Sequence, residues 1–192
     1  RAEEALWAGL ATRGVAVVGE LNPQELANTA WAYATAGRGA PALYDALAAE
    51  AAARVRTLNP QGIANLAWAF ARAGHKAPRL FEVMAAEAVL QIDDFNAQDL
   101  TNTAWAYAKV GHPAGTLFDA IAAAAPARAT EFTAQALANM AWAYATAAHP
   151  APALFDEIAA AAPARVGEAR PQALANTAWA FAKAGRAAPA LF

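Results

Sequence analysis

One nine-residue phrase governs what this chain can become. LANTAWAYA at residues 26–34 returns as IANLAWAFA at 63–71, LTNTAWAYA at 100–108, LANMAWAYA at 137–145 and LANTAWAFA at 174–182. The tryptophans Trp31, Trp68, Trp105, Trp142 and Trp179 therefore step by 37 residues without slippage. A fixed period of about 20–50 residues marks a solenoid, whose units bury their apolar faces only against their neighbours. The 192 residues are thus expected to form one elongated array rather than a globular core.

Local signals divide each unit into two helices. Asn22-Pro23-Gln24-Glu25 is a helix start with Asn as N-cap and Pro at the first position, and Asn59-Pro60 repeats it. Asn96 and Thr133 are also capping types, whereas Arg170 is not. Gly37, Gly74, Gly111 and Gly185 stop this first helix, helix A, with Ala148 the exception. Pro41, Pro78, Pro152 and Pro189 open helix B, and Leu43, Tyr44, Leu47 and Ala51 give it one apolar face. Pro126 and Pro163 place its end, and Leu58, Phe95 and Phe132 anchor the linker that follows.

The expected organisation is an all-α, right-handed αα-superhelix of 37-residue helix-turn-helix repeats. Residues 1–21 read as a partial repeat, weakened by Gly9, Gly14 and Gly19. Full repeats follow at 22–58, 59–95, 96–132 and 133–169, and 170–192 is a second partial repeat. Both ends fall in the same phase without polar capping units, so the array is expected to be a piece of a longer one.

Composition excludes some classes. The 64 alanines favour helix and close helix approach. The absence of cysteine removes disulfides and zinc–thiolate sites. No apolar run reaches the roughly 18 residues of a membrane span, so no membrane insertion is expected. The net charge of −2 argues against a uniformly basic nucleic-acid binder. No Ser-His-Asp set, carboxylate pair or phosphate loop stands out. His75, His112 and His149 share a column, but packed helices sit about 8–10 Å apart and zinc–nitrogen bonds are about 2.0–2.1 Å. The expectation is a non-enzyme without cofactor or metal.

A helical wheel places Leu26, Tyr33 and the Thr29 position toward helix B, and Ala27, Ala30 and Ala34 toward a neighbouring unit. Gln24, Asn28 and Thr35 form a polar stripe, with Glu25 and Ala32 beside it and Trp31 on its border. Gln24, Gln61, Gln98, Gln135 and Gln172 form one uniform column, and Asn28, Asn65, Asn102, Asn139 and Asn176 a second. Two readings of the amides stand side by side: a structural ladder that satisfies the adjoining linker, or a row facing a ligand with a repeating backbone. Trp31 and its equivalents read first as packing between units, and second as a stacking platform for bases. Discrimination would fall to two varying columns, Glu25, Gly62, Asp99, Ala136, Ala173 and Thr35, Arg72, Lys109, Thr146, Lys183.

Charge is segregated. Helix A and its turn carry six bases (Arg38, Arg72, Lys76, Lys109, Lys183 and Arg186) against the acids Glu25 and Asp99. Helix B carries an acidic column, Asp45, Glu82, Asp119 and Asp156. Such asymmetry can steer a polyanion onto one face, with Arg72, Lys109, Lys183 and the turn bases holding phosphates.

The phrase PQ-x-LANTAWA-[YF]-A, with its Gly, Pro and Leu-Phe-Asp helix start, resembles the octotricopeptide and heptatricopeptide repeats of organellar RNA-binding proteins, which often carry a RAP domain. The 37-residue period sits better with the heptatricopeptide form. A departure is that many octotricopeptide units carry tryptophan at the start of helix B, as only Leu6-Trp7 does here. The resemblance implies a groove for single-stranded RNA lined by helix A, in mitochondria or plastids, serving RNA stability, processing, translation or ribosome assembly. The competing class is a HEAT-like scaffold that takes an organellar ribosomal or processing protein in the same groove.

Overall fold

The computed structural model describes residues 2–186; the expected helix start at Pro189, with Leu191 and Phe192, lies outside the described residues. Ten α-helices and no strand occur among the described residues. They are α1 (Ala2–Val17), α2 (Pro23–Ala36), α3 (Pro41–Ala53), α4 (Pro60–Ala73), α5 (Pro78–Leu90), α6 (Ala97–Val110), α7 (Gly115–Ala124), α8 (Ala134–Ala147), α9 (Pro152–Ala161) and α10 (Pro171–Lys183). The A helices are α2, α4, α6, α8 and α10, and the B helices are α1, α3, α5, α7 and α9. Short 3₁₀ turns link each B helix to the next A helix.

The boundary signals operate by the expected chemistry. Asn22, Asn59, Asn96 and Thr133 each accept a hydrogen bond from the backbone N–H three residues on. Glu25 and Asp99 return the bond and complete capping boxes. Arg170 makes no side-chain cap. Gly37, Gly74, Gly111 and Gly185 all have positive φ, and Ala148 follows them into that region at φ 51°. Helices α7 and α9 stop early because Pro126 and Pro163 enter the following 3₁₀ turn. The glycines of the first segment do not break α1, which runs for 16 residues. Gly14 has a packing role, since a Cβ there would lie 2.9 Å from Leu43 Cδ1.

Two layers result. Successive A helices lie against each other along their length, whereas successive B helices touch over short stretches, so the array bends toward the A layer. Small side chains permit this approach. Ala27, Ala30 and Ala34 and their equivalents are buried toward the following unit, through α8. The opposite flank differs from the wheel reading: Ala69, Ala106, Ala143 and Ala180 are fully buried against the preceding unit rather than set beside the polar stripe. The Glu25 column is drawn into the same boundary, where Gly62, Asp99 and Ala173 are buried. That column caps helices and packs, and is withdrawn from ligand discrimination.

An aromatic joint repeats at each boundary. Trp7–Tyr33, Tyr44–Phe70, Phe81–Tyr107, Phe118–Tyr144 and Phe155–Phe181 meet edge to face with centroids 4.9–5.1 Å apart. Each such contact contributes about 0.5–1.5 kcal/mol beyond the area it buries. Tyr33, Tyr107 and Tyr144 add a hydrogen bond from the phenol to the backbone oxygen of Trp7, Phe81 and Phe118.

Candidate nucleic-acid interface

The positions of Gln24, Asn28, Trp31 and Thr35 are spaced by four, three and four residues, so each A helix presents them in a line. Five A helices set side by side turn those lines into columns running across the array. Leu26 and Tyr33 are buried on the opposite side of α2, against the B layer. The columns therefore lie on the outer surface of the A layer, toward which the array bends.

The structure places the predicted residues as follows. Gln24, Gln61, Gln98, Gln172, Asn28, Thr35, Arg72, Lys109 and Lys183 are exposed. Gln135, Asn65, Asn102, Asn139, Asn176 and Thr146 are half-buried. Within α8, Gln135 Nε2 donates to Asn139 Oδ1 at 2.9 Å, which ties the two amide columns together in that unit. No hydrogen bond runs from either amide column to a neighbouring linker among the described residues.

The linker carbonyls are satisfied by a column that the sequence reading passed over. Arg54 donates to Leu21 O at 2.6 Å and Gln91 to Leu58 O at 3.0 Å. Arg128 donates to Phe95 O and Asp93 O, and Arg165 to Ala129 O and Thr130 O. The signal was present: residues 54, 91, 128 and 165 share the 37-residue step, and all carry long donor side chains. With that task taken by the end of helix B, the amides on helix A are left facing outward.

Between the amide and cation columns runs a tryptophan row. Trp68, Trp105 and Trp142 are half-buried, with neighbouring centroids 6.4 Å apart and rings inclined by 34°. Trp31 and Trp179, at the two ends of the A layer, are 46% and 44% exposed. The rings both pack between units and keep an accessible edge. Lys183 Nζ sits 4.8 Å from the centre of the Trp179 ring, a cation–π contact.

The turn bases must be corrected. Arg38 pairs with Glu3, and Arg186 with Asp156. His75 Nε2 lies 2.8 Å from Asp45 Oδ1, and His149 Nε2 lies 2.8 Å from Asp119 Oδ1. Acids of one unit thus meet the turn of the next: Arg38 and Arg186 are paired with carboxylates, and His75 and His149 are hydrogen-bonded to them. The histidines also stack on the aromatic that opens helix B: His75 on Tyr44, His112 on Phe81 and His149 on Phe118. Arg72, Lys76 and Lys109 have no carboxylate partner among the described residues. The positive charge of the A layer thus resides in a few side chains rather than along a whole edge.

This surface offers amides, ring edges and isolated cations at a regular spacing. That combination suits an extended polymer with planar bases and a charged backbone. A protein-family model described as RNA-editing substrate-binding complex 6 protein matches residues 3–187. Among curated proteins, none matches the chain. The match spans nearly the whole helical array, and the chain accordingly belongs to the RNA-editing substrate-binding complex 6 family, as an RNA-associated helical-repeat protein.

Proposed function

We propose that the chain is a non-catalytic, single-stranded RNA-binding subunit of an RNA-editing substrate-binding assembly, with the strand lying across the A layer. The observation that carries this reading is the outward placement of the Gln24 and Asn28 columns, fivefold repeated, beside a partly open tryptophan row and the unpaired cations Arg72 and Lys109. The amide columns, uniform along the array, would contact ribose or base edges alike in every unit. The column of Thr35, Arg72, Lys109, Thr146 and Lys183 varies, and it would set where phosphates are held. The likeness to octotricopeptide and heptatricopeptide repeats supports the same surface. The family's RNA-editing description supports an organelle as the compartment, the mitochondrion in preference to the plastid.

A protein partner on the same face is the second reading, favoured by the pairing of Arg38 and Arg186 with carboxylates, which leaves fewer cations to hold a polyanion. Polarisation of a labelled single-stranded RNA against salt separates the two. Three phosphate contacts, from Arg72, Lys109 and Lys183, give a log–log slope of about −2 at about −0.7 per contact. A flat salt response or no binding would point to the scaffold.

A further inference from the structure

The polar side chains that face outward on the A layer are the same from unit to unit. Gln61 and Asn65 on α4 recur as Gln98 and Asn102 on α6 and as Gln135 and Asn139 on α8. Each pair is four residues apart and so shares one helix face. The varying column that holds Arg72 and Lys109 lies beyond the tryptophan row and supplies charge, which suits phosphates rather than bases. Whatever part of a strand the amides meet, they meet it in the same way in every unit.

The amides are available for such contacts. Among the described residues, the side chains of Gln61, Asn65, Gln98 and Asn102 make no hydrogen bond. Both glutamines are exposed. Both asparagines are half-buried, yet neither has an amide atom shut off from solvent. An amide held in this way keeps its donor and its acceptor for another molecule. In α8 the two amides are linked, Gln135 Nε2 donating to Asn139 Oδ1 at 2.9 Å. That link still leaves Gln135 Oε1 as an acceptor and Asn139 Nδ2 as a donor. Every unit thus offers a donor beside an acceptor, from one amide or from a linked pair.

Base edges differ in how they meet that pattern. The N6/N7 edge of adenine carries one donor and one acceptor and pairs with an amide through two bonds. Guanine turns two acceptors, O6 and N7, to the same side and suits Arg or Lys instead. Cytosine offers only its N4 donor there, and uracil only its O4 acceptor. The half-open tryptophan row beside the amides adds apolar contact, more of it for a two-ring base than for a one-ring base. We infer, resting on the RNA reading of this face, that the Gln and Asn columns select adenine, so that the bound strand is an adenine-rich single-stranded RNA held by its N6/N7 edges. Identical readers favour a run of one base, because a mixed sequence would satisfy only some of the units.

The test is fluorescence polarisation of the whole chain with labelled decamers of adenosine, uridine, cytidine and 7-deazaadenosine. The last keeps the N6 amine and the size of adenine but replaces N7 by carbon. The adenosine decamer is expected to bind at least about tenfold more tightly than each of the others. Gln61→Glu with Gln98→Glu exchanges the donor that meets N7 for an acceptor. In that variant the ratio of adenosine to 7-deazaadenosine affinity should fall by at least about threefold, with unchanged circular dichroism. The added negative charge acts on both decamers alike and cancels in the ratio. Equal binding of adenosine and uridine decamers, no loss with 7-deazaadenosine, or an unchanged ratio in the variant would overturn the selection of adenine and leave the RNA reading standing. Failure of every decamer to bind would overturn both.

Discussion

The hydroxyl of Tyr107 donates to the backbone oxygen of Phe81 across 2.7 Å, and so ties the A helix of the third unit to the B helix of the second. Both residues are buried, and their rings meet edge to face. Tyr107→Phe keeps the ring contact and removes the second hydrogen bond to a carbonyl that its own helix still satisfies, with an expected cost of about 0.5–1.5 kcal/mol. The chain holds the reverse experiment, because Phe70 occupies the same column. Phe70→Tyr would place a hydroxyl toward the carbonyl of Tyr44 and is expected to gain about 0.5–1.5 kcal/mol. Urea denaturation of both variants checks the pair; equal and negligible effects would mean that the bond contributes nothing to the joint.

Ala148 carries the left-handed backbone that glycine supplies at Gly37, Gly74 and Gly111. An L-residue in that region costs about 1–2 kcal/mol. Ala148→Gly is therefore expected to raise stability by about 1 kcal/mol, and Gly111→Ala to lower it by a similar amount. Thermal unfolding of the two proteins should move in opposite directions. Movement in the same direction would show that the turns do not share one conformation.

Arg128 holds Asp93, Phe95 and Ala124 carbonyls at once. Its replacement by Ala removes these part-buried and exposed bonds at the boundary of the second and third units, at about 0.5–1.5 kcal/mol for each. Hydrogen exchange should show reduced protection near Phe95 and α7, and Arg128→Gln should restore part of it, since Gln91 performs the same task one unit earlier. Uniform loss across the whole array would instead indicate a global role.

Burial pushes the Tyr44 phenol up to about 12, and those of Tyr107 and Tyr144 are raised as well, in Tyr144 with help from the Asp119 charge. The ordinary phenol titrates near about 10. A raised acid favours the neutral folded form, so the stabilisation is complete below about pH 10 and is lost as the unfolded chain ionises above it. Absorbance of phenolate at alkaline pH should rise together with loss of helical circular dichroism. Ionisation of all four tyrosines near pH 10 with the helices intact would contradict the buried assignment. Asp99 behaves in the same sense at acid pH: burial raises its carboxyl against the lowering effect of the Asn96 backbone bond. Its ionisation therefore works against the fold as pH rises through the carboxylate range.

Much of the fold was written in single residues. Asn22, Pro23 and Gly37 announced the limits of α2 because caps and left-handed turns have few chemical solutions. The alanine flanks were only half legible. Ala27 and Ala32 look alike in sequence, and which of them meets a neighbour depends on how the next helix is placed. The site divided in the same way. A regular amide column can be read from Gln24 and Asn28, and its outward direction follows from helical geometry, but the half-burial of Asn65, Asn102, Asn139 and Asn176 does not. The pairing of Asp156 with Arg186 spans a unit boundary, so no local pattern revealed that turn arginines are paired. Arg54 and its equivalents were missed because a surface-type residue near a helix end has many possible roles.

In the proposed mode of binding the A layer holds single-stranded RNA through Arg72 and Lys109. Affinity of an unstructured single-stranded RNA for the wild type and for Arg72→Glu with Lys109→Glu, measured across a salt series, tests it most directly. The double variant is expected to bind at least about tenfold more weakly near 0.1 M salt, with a slope shallower by about 1.4 because two phosphates are no longer neutralised, and with unchanged helical circular dichroism. Equal affinity and equal slope in the two proteins would contradict it.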